Sequence, residues 1–143
     1  MMRKIILCFT ALLLMFATCE KIPKDVKPID WENYNDVYTV YWNLYSSCEK
    51  IKSEYYGKTI KIAGWNIWYL DAFSLCDDTK DNAAPFVAIE CNLPEFKTKL
   101  DTSDLTKKCF IKGNIHLKKE KMPRGCRVFP VVKVTDINDI YFE

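Results

Sequence analysis

The sequence is short of the residues that carry most metal, redox and nucleophilic chemistry. His116 is its only histidine. Cys48, Cys76, Cys91, Cys109 and Cys126 are spaced 28, 15, 18 and 17 residues apart and include no Cys-x-x-Cys pair. A zinc site or a dithiol redox centre therefore lacks its ligand pattern. His116 stands in a strand-like run between Ile115 and Leu117 and faces opposite to both, with no orienting group for a Cys–His nucleophile. Asp77, Asp78 and Asp81 lack the glycine and terminal acid of a calcium loop, and read as an acidic hairpin tip. No catalytic residue, metal ligand or cofactor is expected. Long apolar runs are scarce too: the single one, Ile5 to Ala17, is too short to span a bilayer as a stable helix.

That run is informative in its setting. Arg3 and Lys4 precede it and Cys19 closes it, which is the layout of an export signal. The end, Phe16-Ala17-Thr18-Cys19, resembles the lipobox of bacterial lipoproteins, with Phe16 and Thr18 departing from the usual residues. The resemblance implies a signal peptide over 1–18, lipidation of Cys19 (palmitate among the acyl chains), and a lipid-anchored cell-envelope protein. The outer membrane is the expected membrane, and the leaflet is left open. The following CEKIPKD is loosely similar to surface-export signals of Bacteroidetes-type lipoproteins.

Removing residues 1–18 removes two bases and no acid, so 21 basic and 19 acidic residues become 19 of each. A neutral chain has no broad field with which to steer polyanions, and nucleic acid is an unfavoured partner. The odd number of cysteines after Cys19 leaves at least one unpaired. Residues 19–33, with Pro23 and Pro28 among charges, are expected to form a flexible tether, and 34–143 one domain.

Val37, Val40, Tyr41, Leu44, Cys48 and Ile51 recur at offsets of three and four, predicting an amphipathic helix capped by Asn35 and running to about Ser53. Tyr38, Trp42 and Tyr45 widen its apolar area, toward either the domain's own sheet or a partner. The period then becomes two. Strands are expected over Thr59–Leu70 with a bend at Gly64, Ala72–Cys76, Pro85–Cys91, Cys109–Lys118 with Gly113 inside it, and Arg127–Val134, with an extended segment through Ile137 and Ile140. A short helix is expected near Ser103–Lys107.

The run GKTIKIAGW at 57–65, FVAIEC at 86–91, KCFIKGNIHL at 108–117 and RVFPVVKVTDINDI at 127–140 resemble the strands of an oligonucleotide/oligosaccharide-binding (OB) barrel, in its anticodon-binding-like branch. The resemblance spans Gly57 to Phe142. It implies a mainly β domain with some α structure: a five-stranded OB-like barrel preceded by the amphipathic helix. It further implies a non-enzymatic binding or assembly module for an envelope protein or glycan, the alternative being a nucleic-acid or other polyanion binder. The expected ligand-binding residues are Trp65 and Trp68, for stacking, with Lys119, Lys121 and Arg124 in a cationic loop over 118–127. Cys76 and Cys91 flank the 81–84 turn nearly symmetrically and form the expected disulfide.

Overall fold

The computed structural model describes residues 22–45, 50–69, 72–77, 85–102, 107–123 and 125–143. The expected signal peptide, Cys19, Cys48 and Arg124 lie outside the described residues, as does most of the acidic segment 77–82.

The fold is mainly β, a seven-stranded sheet with a few helical segments. A two-residue strand, β1 (Asn35–Asp36), leads into α1 (Val37–Tyr45), and a π-helical turn follows at Ile51–Tyr55. Strands β2 (Thr59–Tyr69), β3 (Ala72–Cys76) and β4 (Phe86–Cys91) precede α2 (Pro94–Thr102). Strands β5 (Cys109–Met122), β6 (Gly125–Val134) and β7 (Ile140–Phe142) complete the chain.

Five strands close into a ring: β2 pairs β3, β3 pairs β4, β4 pairs β6, β6 pairs β5, and β5 returns to β2. Only the β4–β6 contact is parallel within the ring. β1 adds to β2 in parallel and β7 to β5 in antiparallel fashion.

Gly64 and Gly113 sit where strands change partners. Up to Gly64, β2 pairs with β5, and from Trp65 it pairs with β3. A Cβ at Gly64 would lie 2.5 Å from Val37 Cγ2 and 2.8 Å from the Cys76 carbonyl oxygen. At Gly113 it would lie 2.7 Å from both the Lys133 carbonyl oxygen and Val132 Cγ1. Close backbone approach, rather than an unusual φ, accounts for glycine at both bends.

Inside the ring, Ile60, Ile62, Leu75, Val87, Ile111, Ile115 and Val132 are buried in one cluster with Val37, Val40, Leu44 and Ile51. α1 is rich in β-branched and aromatic residues, which are indifferent helix formers. Burial of its apolar stripe, about 1.5–3 kcal/mol for each large side chain, stabilises it instead. The cap is Asp36, whose carboxylate accepts the Thr39 N–H at 2.6 Å. The expected cap, Asn35, is buried one residue earlier and serves the loop before it.

The short helix expected near Ser103–Lys107 lies, but for Lys107, outside the described residues, and the expected cationic loop changes character. The helix between β4 and β5 begins at Pro94, a residue suited to the first helical turn, and Phe96 anchors it against Phe73 with ring centroids 5.0 Å apart. The expected cationic loop is mostly strand: β5 and β6 stay paired out to Met122 opposite Gly125. Among the described residues no helix is long and apolar enough to cross a membrane.

Candidate functional site

Strand alternation sends Val87 and Ile89 of β4 into the ring and turns Phe86, Ala88 and Glu90 outward. On β6 the outward residues are Arg127, Phe129 and Val131, and on β5 they include Lys118 and Glu120. These residues, with Tyr45 from α1, line a pocket of about 190 Å³ on the outer face of β4, β6 and β5. Its floor is apolar. Its rim carries two carboxylates and two cations.

Register fixes the rim. Glu120 lies directly opposite Arg127, and Lys118 opposite Phe129. The Lys118 ammonium stands 3.9 Å from a Glu90 carboxylate oxygen, joining β5 to β4 across β6. The Arg127 guanidinium lies over the Phe129 ring, 5.6 Å from its centroid, and among the described residues it forms no ion pair within 4 Å. It is therefore an oriented donor set at the pocket edge.

Tyr45 forms the wall. Its hydroxyl donates to the Pro130 carbonyl oxygen at 3.1 Å, and Tyr41 stacks on its ring at 4.8 Å. Burial pushes the Tyr45 phenol up to about 12, outweighing the opposing backbone hydrogen bond from Ala88 and the smaller influence of the Arg127 charge. The wall is thus a fixed, neutral aromatic face.

The expected ligand residues distribute unequally around this pocket. Trp65 is half-buried and opposes Cys76, which in turn opposes Phe86, so it sits two strands away along one cross-strand row. Trp68 opposes Phe73 further along the β2–β3 ladder, and its ring lies outside the described residues. Lys119 and Lys121 are exposed opposite Val128 and Cys126, on the hairpin face turned away from the pocket. The hairpin splits the cationic cluster between two faces, because alternation separates neighbours that look contiguous in sequence. On the pocket side Glu90 and Glu120 balance Lys118 and Arg127. The pocket residues missed in the sequence, Phe86, Glu90 and Phe129, carry a detectable signal: alternation in FVAIE and RVFPV implies an outward face on both strands.

The expected Cys76–Cys91 disulfide is not formed. The ladder places Cys76 opposite Phe86, five residues from Cys91 along β4, or about 17 Å at the usual rise per residue. The register that pairs Cys76 with Phe86 is why equal flanking of 81–84 does not translate into proximity. His116 packs edge-on against Tyr56, with ring centroids 5.0 Å apart. Among the described residues no three His, Cys, Asp or Glu side chains gather into a metal site.

No protein-family model matches the chain, and no curated protein does.

Proposed function

We propose that this chain is a membrane-tethered envelope lipoprotein whose folded part is an OB-like, non-enzymatic binding module for a glycan. The ring connectivity β2–β3–β4–β6–β5, its single parallel contact, and the helix between the third and fourth ring strands agree with the OB resemblance in the sequence. The start of the chain supports export and anchoring through Cys19.

The observation that carries the ligand class is the pocket. Its aromatic walls and floor suit the apolar face of a sugar ring, and its mixed rim suits hydroxyls, which accept from Lys118 and Arg127 and donate to Glu90 and Glu120. At about 190 Å³ it is smaller than the roughly 300–1,000 Å³ of sites for drug-sized ligands, and matches one ring. Balanced charge on this face argues against a polyanion groove.

The test is an NMR titration of the mature protein with a panel of hexoses, hexosamines and uronic acids, and with single-stranded oligonucleotide at low and high salt. Saccharide-induced shifts centred on Phe86, Phe129 and Arg127, abolished by the paired change Glu90→Gln and Arg127→Gln, are expected. Salt-sensitive oligonucleotide binding with no saccharide response would overturn the reading in favour of a polyanion binder.

A further inference from the structure

Hydrogen bonding along β5 alternates between its two edges, and two contacts fix the parity. Lys108, just ahead of β5, exchanges backbone hydrogen bonds with Glu143, just past β7, at 3.1 and 3.0 Å. Ile115 turns the other way: its N–H donates to the Lys58 carbonyl oxygen at 3.0 Å, and its carbonyl oxygen accepts the Gly57 N–H at 2.8 Å. The register with β6 is continuous from Asn114 to Met122, so the alternation carries on past Ile115. Pairing with β2 ends at Asn114 opposite Thr59. Leu117, Lys119 and Lys121 therefore turn their N–H and C=O groups to an edge that β2 has left. Among the described residues these groups have no partner. Successive members of the row stand about 6.8 Å apart, the spacing at which a neighbouring strand is read.

The two edges of the hairpin differ. On β6, Pro130 lies opposite Leu117; it has no N–H, and its carbonyl oxygen accepts the Tyr45 hydroxyl. That edge is closed there by proline and by a side chain. On β5 neither a proline nor a bulge interrupts the row. The exposed side chains of Lys119 and Lys121 share one face, and their opposites on β6 are Val128 and Cys126, so no carboxylate lies across from either. At the inner end of the row Tyr56, 55% exposed, stands edge-on to His116. Two copies of this edge would set lysine against lysine, whereas a strand of opposite charge is attracted.

We infer that the outer edge of β5 from Leu117 to Lys121 is a docking site for an extended acidic segment of a partner protein, which adds to the hairpin as a further strand. The segment's backbone takes the open N–H and C=O groups. Its carboxylates, at alternate positions, lie opposite Lys119 and Lys121, and an apolar residue meets Tyr56. The pocket uses the other face of the hairpin, through Lys118, Glu120, Arg127 and Phe129, so the two sites are independent.

The experiment titrates the mature protein with short peptides that alternate valine with glutamate, glutamine or lysine, read by amide NMR and calorimetry at low and high salt. The glutamate peptide is expected to bind, to protect the Leu117, Lys119 and Lys121 amide protons from exchange, and to weaken as salt rises. Lys119→Gln with Lys121→Gln should weaken it about fivefold or more. Glu90→Gln with Arg127→Gln should leave it unchanged, whatever the pocket binds. N-methylating either the glutamates or the valines keeps the peptide's charge and needs no change in the protein. One of the two should cost about tenfold or more and the other much less, because only alternate N–H groups of an added strand face β5. Binding undiminished by either methylation, or without protection of those amides, shows a merely ionic surface and overturns strand addition. Equal binding of the lysine peptide, or no binding of the glutamate peptide at low salt, overturns the acidic partner.

Discussion

Asn35 holds the Asp30 peptide from both sides: its side-chain oxygen accepts the Asp30 N–H at 2.8 Å, and its Nδ2 donates to the Asp30 carbonyl oxygen at 2.7 Å. The same Nδ2 lies 3.2 Å from the Lys61 carbonyl oxygen on β2. Asp30 in turn accepts the N–H groups of Glu32 and Asn33. Ile29 is buried in the core just ahead of this loop, and the Lys61 ammonium donates to the Glu32 carbonyl oxygen. The second half of the expected tether is thereby fastened to the sheet, and α1 receives a fixed starting point.

Replacing Asn35 by alanine should therefore destabilise the domain by about 2–3 kcal/mol, because it leaves partly buried backbone groups without partners. Urea denaturation followed by fluorescence measures this. Asn33→Ala removes one exposed contact of the same loop and should cost much less. Equal losses for the two variants would show that Asn35 is only one of many surface contacts.

Gly64→Ala and Gly113→Ala should each cost roughly 1–3 kcal/mol, since the added methyl meets a carbonyl oxygen that cannot move without shifting a strand. In a double-mutant cycle, Val37→Ala, which by itself costs stability at a fully buried position, should offset only part of the Gly64→Ala loss once its own cost is subtracted. It removes the Val37 Cγ2 contact but not the one with the Cys76 carbonyl oxygen. Full recovery would mean that side-chain crowding alone selects glycine there.

Beyond Ile115 on β5 and before Val132 on β6, the hairpin strands pair with each other and with no further strand among the described residues. Such edges template unwanted pairing, and lysines oppose it. Changing Lys119 and Lys121 to threonine should leave unfolding stability within about 0.5 kcal/mol of wild type. It should also increase self-association in light scattering at low salt. Unchanged association would remove the protective role and make the two lysines ordinary solvated residues.

Periodicity made much of this fold legible. Val37, Val40, Leu44 and Ile51 are core residues as their spacing implies, and Gly64 and Gly113 mark the bends where strands change partners. Register was not legible. Whether Cys76 meets Cys91 or Phe86 depends on the turn between strands, and whether Lys118 or Lys119 faces a ligand depends on parity set by distant pairing. Ile29 and Asp30 were concealed among prolines and charges because their partners, Asn35 and β2, come later in the chain. The pocket required five elements to be assembled, with Ser74 of β3 completing its lining, so the sequence supplied alternation on each strand but not their convergence with Tyr45.

The last prediction concerns alkaline pH. Burial raises the Cys109 thiol from 9.0, and the Tyr45 phenol from 10.0, each to about 12. In the unfolded chain both groups ionise at their ordinary values, so between about pH 9 and 12 the native state binds more protons than the unfolded state. Stability is therefore fully present below pH 9 and falls as pH rises, first through Cys109 and then, above pH 10, through Tyr45 as well. Each group contributes a slope of up to about 1.4 kcal/mol per pH unit within its window. Tyr45→Phe should lower stability at pH 7 by about 1 kcal/mol, through loss of the hydrogen bond to Pro130, and should flatten the decline above pH 10. Urea midpoints for wild type and variant from pH 7 to 11.5 measure both effects. The two curves should converge above pH 10 and cross at about pH 11; a constant separation across the whole range would show that Tyr45 ionises as freely in the native state as in the unfolded chain.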